Sequence, residues 1–288
     1  MTTTLKPRNN RAWLFVLPVI CSVAFTAVLP LLMVINFSVQ DIFGSNRVFV
    51  GAEWFIDVIE DPDIRSSFWR SIAFSVQVLL IQIPLGILLG LGMPKKGILA
   101  SVALVVMALP LLIPHNVVGT IWQIFGRGDI GLGGHVITRT LGFDYNYAQE
   151  PADAWLTVLV MDTWHWAPLV ALLVYAGLQS IPDPYYRAAS IDGAKRLAVF
   201  RHIELPRLQG VLTIALLLRF MDSFMVYTEP FVLTGGGPGT TTNFLSISLQ
   251  KIAVGQFDLG RGGAFSLLYF FFIQMFSFLF FQLMRRRL

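Results

Sequence analysis

Cysteine and charged residues are both scarce in this sequence. A single cysteine, Cys21, occurs among 288 residues, which excludes an internal disulfide and a Cys-x-x-Cys metal or redox motif. Charged residues make up 13% of the chain and hydrophobic residues 55%, and the mean hydropathy is +0.68. A water-soluble domain of average composition carries about 25% charged residues. The composition therefore excludes an ordinary soluble globule and favours a protein whose solvent is the lipid bilayer.

Motifs for catalysis and for metal binding are also lacking. The four histidines, at positions 115, 135, 165 and 202, have no i, i+4 spacing and no cysteine partners, so the sequence predicts no zinc site. A nucleophile with its base, or a carboxylate pair, cannot be read along the chain. The glycine run 235–239 is followed by Thr240 and lacks the Gly-Lys-Ser/Thr ending of a phosphate loop. We therefore expect no catalytic residue and no metal or cofactor bound by this chain.

Long hydrophobic runs are what the sequence has instead. Six of them approach the length of about 20 residues that a helix needs to cross hydrocarbon. They cover approximately 13–35, 69–92, 98–125, 155–178, 210–233 and 263–284. The first is too long for a signal-peptide core and no small-x-small cleavage site follows it, so we interpret it as an uncleaved span. The expected fold class is an all-α integral membrane protein with about six transmembrane helices.

The distribution of lysine and arginine predicts the orientation of these spans. An even number of spans puts both termini on one side, and basic residues are enriched in cytoplasmic loops. Thirteen of the 21 basic residues fall on one side: Lys6, Arg8, Arg11, Lys95, Lys96, Arg187, Lys195, Arg196, Arg201, Arg207, Arg285, Arg286 and Arg287. We expect cytoplasmic termini, a tail at 1–12, a single transmembrane domain at 13–288 and a cytoplasmic loop at 179–209. The basic residues form no aromatic-interleaved patch, so no nucleic-acid partner is expected.

The loop 179–209 predicts a helix, a glycine corner and a second helix. Asp183 is placed to cap a helix that begins near Tyr185, and Gly193 breaks it. A second helical stretch, about 194–203, is expected to end before Pro206. Such a unit is compact enough to dock on a partner. The alternative is an amphipathic helix resting on the lipid headgroups, which the basic residues of the loop would favour.

The residues of this loop resemble the EAA loop of ABC importer permeases. The match runs through Ala188-Ala-Ser-Ile-Asp-Gly-Ala194 and through Ile203-Glu-Leu-Pro206, with nine residues between Gly193 and Ile203. One departure is Arg187, where the family has glutamate, and a reversed charge predicts a different ion pair with the partner. The residues that the resemblance assigns to coupling are Arg187, Ala188, Ala189, Asp192, Gly193, Ala194, Leu205 and Pro206.

The resemblance implies a fold, a set of partners and a location. The fold is that of an ABC type I importer permease in the bacterial inner membrane. The implied partners are a second permease subunit, two ATP-binding subunits that hold ATP and Mg, an extracytoplasmic solute-binding protein and a small polar solute. In the family, the loop transmits nucleotide-driven closure to the membrane helices. This chain would thus be a transport subunit without an ATPase site of its own.

Two further segments narrow the resemblance. Leu233-Thr-Gly-Gly-Gly-Pro-Gly239 is similar to an outer-face element of carbohydrate-importer permeases of the maltose type. Read alone, this glycine run would equally suit a loose turn. The stretches 218–231 and 255–260 resemble permeases of glycerol and polyol importers. The resemblance therefore implies a small polyol or sugar as the solute, with glycerol favoured.

Polar residues at membrane depth are candidates for solute binding, because burying them in lipid is costly. Asp162, Trp164 and Trp166 combine a carboxylate, which accepts hydrogen bonds from hydroxyls, with indoles on which sugar C–H faces stack. The alternative is an aromatic belt at the interface, with His165 bound to a neighbouring carbonyl. Both interpretations remain open for these residues.

Other polar residues give weaker predictions. Arg219 and Asp222 are three residues apart on one helix face and should form a structural ion pair. Tyr227 and Glu229 either reach the translocation path or mark the outer membrane edge. His115 and Asn116 follow Pro114 at a predicted break of the third span, where an unwound turn would aim side chains into a cavity, and Asn116 is the hydrogen-bonding candidate.

Two other classes of protein are less consistent with the sequence. A self-contained secondary carrier or channel usually has internal inverted repeats and more spans than six. A membrane-embedded enzyme should show a metal motif or a nucleophile with its base. Neither signature is found, so a permease subunit that works with partners remains the best interpretation.

Overall fold

The computed structural model describes residues 12–43 and 46–285. The predicted tail with Lys6, Arg8 and Arg11 lies outside the described residues, as do Arg286 and Arg287. The helices are α1 Ala12–Ser38, α2 Glu53–Glu60, α3 Pro62–Gly92, α4 Ile98–Leu112, α5 His115–Phe125, α6 Leu132–His135, α7 Pro151–Gln179, α8 Asp183–Ile191, α9 Arg196–Val199, α10 Leu205–Phe224, α11 Thr228–Thr234, α12 Leu245–Gln250 and α13 Leu259–Arg285. Three π-helical turns, Val136–Thr140, Phe200–Glu204 and Lys251–Gly255, extend α6, α9 and α12. Strands β1 Gln40–Phe43 and β2 Asn46–Phe49 pair antiparallel, with Gln40 opposite Phe49.

The chain divides into two compact units. The first comprises residues up to Glu60 together with Leu249–Phe270, and the second comprises Asp61–Ser248 and the chain from Phe271 onward. In the first unit the indole of Trp54 donates a hydrogen bond to the Gln40 carbonyl at 3.1 Å. Arg261 pairs with Asp57 at 2.6 Å. These contacts tie the hairpin, α2 and the start of α13 to one another.

Close packing of α3 on α7 organises the second unit. A Cβ atom added at Gly86 would lie 2.5 Å from Cβ of Val170, and one at Gly90 would lie 2.8 Å from Cγ1 of Val174. Only glycine allows this approach, which is the use that membrane helices make of small residues four apart. Val170 and Val174 belong to a buried apolar cluster with Leu178, Leu208 and others. The sites described below lie on this unit.

The multi-pass helical fold predicted from hydropathy is confirmed. Within the described residues, four helices are long and apolar enough to cross a membrane by themselves. If each of two bent helix pairs counts as one span, the number rises to as many as six. The first pair is α4 with α5, bent by 95°, and the second is the segment 196–224 with α11, bent by 42°. The predicted break near Pro114 is therefore present. Several helices also begin before the predicted span, as α3 does at Pro62, where Asp61 accepts hydrogen bonds from the N–H groups of Asp63 and Ile64.

The predicted end of the second loop helix before Pro206 is wrong. α9 continues through the π turn Phe200–Glu204 into α10 as one helical segment, 196–224. Proline cannot donate a backbone hydrogen bond and its ring crowds the carbonyl one turn earlier. A π turn changes the hydrogen-bond register just before the proline. Pro206 therefore lies in the first turn of α10, and the helical segment continues through it. The predicted cap is also wrong, because Asp183 lies in the first turn of α8 and the capping position is Pro182.

Candidate functional site

A cavity of about 190 Å³ opens where the two bent spans are interrupted. It is lined by His115, Trp166, Asp222, Met225, Val226, Tyr227, Thr228 and Glu229. His115 begins α5 directly after the break at Pro114, and α10 ends at Phe224 just before the bend that leads into α11. Breaks in membrane helices are tolerated where the backbone lines a cavity. The polar side chains that line the cavity thus lie at the breaks of the two spans.

Glu229 binds two histidines from different helices. Its Oε1 lies 2.6 Å from Nδ1 of His115 on α5 and 3.2 Å from Nδ1 of His165 on α7. Glu229 and His165 are buried, whereas half of the His115 side chain is exposed. The carboxylate therefore joins α5, α7 and α11 at the cavity wall. The spacing argument against a histidine cluster could not detect this arrangement, because each residue comes from a separate helix.

A fully buried arginine lies behind the cavity. Arg219 on α10 donates hydrogen bonds to Oδ2 of Asp162 at 2.8 Å and to Oε1 of Gln82 at 2.8 Å. Gln82 in turn donates to the same Asp162 oxygen at 2.6 Å. Arg219 also pairs with Asp222, as predicted from their spacing. A buried charge is stable only when paired and hydrogen-bonded, so α3, α7 and α10 are held together by this network.

Trp166 connects the arginine network with the cavity. The Arg219 guanidinium lies over its ring at 4.7 Å from the centroid, which is a cation–π distance. The ring of His115 lies 5.8 Å and that of His165 5.0 Å from the Trp166 ring. The indole that lines the cavity is therefore fixed from several sides, and a rigid aromatic wall suits a small ligand.

Only some of the six residues predicted to bind solute line the cavity. Trp166, Tyr227 and Glu229 line the cavity. Asp162 instead directs its carboxylate to Gln82 and Arg219 and is 2% exposed. Trp164 and Asn116 are exposed and are not among the lining residues, and Trp164 packs against Trp122 with centroids 6.2 Å apart.

Sequence reasoning missed two partners in these networks. Gln82 lies inside a hydrophobic run, and a polar amide at membrane depth was the available signal. His165 was expected to bind a carbonyl in the aromatic-belt interpretation, but it faces the Glu229 carboxylate. Neither partner is close in sequence to the group that it binds, so the choice of partner could not be read from spacing.

The loop 179–209, named the coupling loop below for the role that the resemblance implies, has the helix–corner–helix form that the sequence predicts. α8 ends at Ile191, and Gly193 takes a φ of +64°, a conformation that side chains other than glycine rarely adopt. The N–H of Ala194 then donates to the carbonyl of Ala189 at 2.9 Å and closes the corner. Ile191 and Leu197 expose 86% and 75% of their surface. The corner therefore presents two apolar side chains outward.

Glu204 holds the two helical parts of this loop together. Its carboxylate is buried and accepts hydrogen bonds from Arg196 at 2.5 Å and from the Tyr186 hydroxyl at 3.3 Å. Burial, together with the neighbouring Glu204, raises the pKa of the Tyr186 phenol, so this hydroxyl remains a donor. Glu204 thus joins α8 to the start of the long helix.

Comparison with protein families identifies the chain. Residues 82–288 match the family described as binding-protein-dependent transport system inner membrane component, and the chain belongs to this family. The matched region contains the coupling loop, the cavity and the arginine network. The resemblance to importer permeases found in the loop is therefore confirmed.

Individual relatives span the chain almost completely. It is 30% identical over 299 residues to the trehalose/maltose transport system permease protein MalF of Thermococcus litoralis, covering 100% of this chain and 98% of that one. It is 31% identical over 239 residues to the sulfoquinovosyl glycerol transport system permease protein SmoG of Agrobacterium fabrum, covering 81% and 76%. A chain of a solved bacterial ABC transporter, involved in import of the acidic polysaccharide alginate, matches with a TM-score of 0.83 at 19% identity, covering 96% and 95%. The last match supports the ABC importer permease fold.

Proposed function

We propose that this chain is the permease subunit of an ATP-driven importer that carries a small neutral polyol or sugar, with glycerol favoured, into the bacterial cytoplasm. The family supplies the coarse function, a component of a binding-protein-dependent importer. A sugar as the solute class is supported by relatives named for trehalose, maltose and sulfoquinovosyl glycerol. The size, chemistry and charge of the cavity in the second unit support a small neutral solute.

The size of the cavity favours a small solute. Its volume is about 190 Å³, and a water molecule occupies about 30 Å³ in the liquid, so the cavity has room for roughly six waters. Pockets for drug-sized ligands are larger, about 300–1,000 Å³. A three-carbon polyol or a single sugar ring fits such a space.

The chemistry of the lining favours hydroxyl groups. Trp166 offers an aromatic face for C–H groups, and the Tyr227 hydroxyl can donate or accept a hydrogen bond. Glu229 and Asp222 supply carboxylate acceptors in the same wall. This combination of stacking and bidentate acceptors is what a polyol requires.

The charge of the lining disfavours an anionic solute. Two carboxylates, Asp222 and Glu229, line the cavity, and the positive charge of Arg219 is already shared by Asp162 and Asp222. An anion entering this space would meet like charge without an available guanidinium. We therefore assign this chain a neutral solute, in contrast to the alginate importer whose permease fold it shares.

Transport in this proposal depends on partner subunits. Two ATP-binding subunits hold ATP and Mg and dock on the corner around Asp192 and Gly193, where Ile191 and Leu197 are exposed. Arg187 meets an acidic residue of that partner. A second permease completes the pathway, and a solute-binding protein delivers the solute from outside. ATP binding moves the anchored loop, the bent spans rock, and the cavity alternates between the two sides.

Uptake by the reconstituted complex tests this function. The complete transporter and its binding protein are placed in proteoliposomes, and ATP-dependent uptake of glycerol is compared with that of glycerol phosphate and maltose. Tyr227→Phe removes one hydroxyl from the cavity wall and should raise the glycerol concentration for half-maximal uptake severalfold. Tyr145→Phe is the matched control, because Tyr145 bonds Thr157 outside this cavity and its loss should leave that concentration unchanged.

Four results would contradict the proposal. Selective uptake of the phosphate ester would exclude a neutral solute, and selective uptake of maltose would exclude a solute of this size. An identical response of the two tyrosine variants would place the solute elsewhere. Uptake by the isolated chain without ATP would replace the importer with a self-contained carrier.

A further inference from the structure

The histidine–glutamate cluster at the cavity wall has the composition of a metal site. One ring nitrogen of His115, one ring nitrogen of His165 and a carboxylate oxygen of Glu229 all lie within 4.8 Å of one another. They belong to α5, α7 and α11, so three separate helices each contribute one ligand atom. Two imidazoles and one carboxylate are a ligand set that binds Zn²⁺ at sites that keep a fourth position open.

The distances from Glu229 to both histidines are close to those that a metal ion would impose. Zn²⁺ binds nitrogen at about 2.0–2.1 Å and carboxylate oxygen at about 2.0–2.2 Å, which sets tetrahedral donor atoms about 3.3 Å apart. The Glu229 oxygen is 2.6 Å from His115 Nδ1 and 3.2 Å from His165 Nδ1. Binding therefore requires His115 to move outward by less than about 1 Å and both rings to carry their proton on Nε2. His115 is half exposed and has the space to move.

The charges around the cluster favour a dication. Two neutral imidazoles and the Glu229 carboxylate carry one negative charge, and Asp222 lies in the same cavity. Glu229 therefore offsets one of the two positive charges of a divalent ion. The mixed imidazole and carboxylate set selects a transition metal over Mg²⁺ or Ca²⁺, which require oxygen ligands.

We propose that His115, His165 and Glu229 form a binding site for one divalent transition-metal ion of the Zn²⁺ class, and that occupancy of this site inhibits transport. A bound ion joins α5 and α11, the short arms of both bent spans, to α7. Alternating access requires these spans to move relative to one another, so the bound ion holds the cavity in one state. The inhibition rests on the proposed transport function, whereas the metal site does not.

Direct binding of Zn²⁺ alone tests the site. The complete transporter in lipid nanodiscs is dialysed against Zn²⁺, and bound metal is measured by mass spectrometry. His115→Gln is the main variant, since its half-exposed position makes misfolding unlikely to obscure the result. We expect the wild type to bind one more ion than this variant at low Zn²⁺, and the affinity at the site to fall by at least about tenfold. His135→Gln is the matched control, because His135 is exposed and lies outside the cluster, and it should bind as the wild type does.

A spectroscopic measurement distinguishes coordination at these residues from adsorption elsewhere. Co²⁺ in a four-coordinate site absorbs visible light much more strongly than hydrated Co²⁺. The wild type and His135→Gln should show this absorption, and Glu229→Gln and His115→Gln should lose it. Equal absorption in all four proteins, or equal Zn²⁺ binding by the wild type and His115→Gln, would overturn the proposal.

Inhibition is measured separately, as uptake of the transported solute at increasing Zn²⁺. Half-inhibition of His115→Gln should require at least about tenfold more Zn²⁺ than that of the wild type, and a chelator should restore wild-type uptake. Equal sensitivity of the two proteins would overturn the inhibitory role. If the importer proves to carry a solute other than glycerol, the binding and absorption measurements still decide the metal site.

Discussion

Arg219 is a buried charged side chain in the core of the second unit. It is fully buried, and Asp162, Gln82 and Asp222 all bind it. Removing one partner of a buried charge network leaves the others desolvated without compensation, which typically costs about 3–5 kcal/mol. We therefore expect Asp162, which was predicted to bind solute, and the predicted pair Arg219–Asp222 to contribute to the stability of the fold.

At the residue scale we predict that Arg219→Ala destabilises the protein by about 3–5 kcal/mol, because Asp162 is left charged and buried. The measurement is the thermal unfolding midpoint of the purified complex. Arg127→Ala is the control, since Arg127 forms an exposed pair with Asp129 and surface pairs contribute little. An unchanged midpoint for Arg219→Ala would show that the network does not stabilise the fold.

The same network limits what the sequence could reveal about single residues. Membrane depth and chemistry selected Trp166, Tyr227 and Glu229, and the structure brings these three to one cavity. The same reasoning selected Asp162 for the solute, but its carboxylate is enclosed by Gln82 and Arg219. Depth identifies a costly polar group, and only the neighbouring helices decide whether a ligand or a side chain satisfies it.

Among the elements, the coupling loop depends on one backbone conformation. Gly193 has a φ of +64°, and Glu204 binds Tyr186 and Arg196 within the loop. The corner and the long helix that follows it form one continuous piece, because a π turn carries the helix past Pro206. In the proposed mechanism, a displacement of the corner reaches the bend beside the cavity through α10.

At this scale we predict that Gly193→Pro leaves membrane insertion intact and abolishes uptake, because proline fixes φ near −65°. Gly193→Ala should weaken uptake less, since an L-residue in the left-handed region costs about 1–2 kcal/mol. Gly210→Ala is the matched control, because a Cβ there meets open space in a regular helix. The measurements are membrane content by immunoblot and solute uptake. Normal uptake by Gly193→Pro would contradict the coupling role.

The whole molecule has an orientation that its basic residues predict. Lys195 lies in the coupling loop and Arg127 lies beyond α5, in the segment assigned to the outer side. Two cysteines placed at these positions can report their side of the membrane, because the chain has only Cys21 to remove first.

We predict that, in a Cys21→Ala background, Lys195→Cys is labelled by a membrane-impermeant thiol reagent only from the cytoplasmic face. Arg127→Cys should be labelled only from the outer face, since lysine and arginine are enriched on the cytoplasmic side. The measurement is labelling of intact cells against inverted vesicles. The reverse pattern would overturn the orientation, and with it the site of docking of the ATP-binding subunits.

Hydropathy and local motifs by themselves determined the membrane class, the approximate spans and the helix–glycine–helix loop. These are local properties, because the length of an apolar run and the φ preference of a glycine do not depend on distant residues. Tertiary structure alone decided which polar groups meet. Gln82 reaches Asp162 across 80 residues and His115 reaches Glu229 across 114. Such partners are chosen by the packing of whole helices, as at Gly86 against Val170, and no local pattern specifies them.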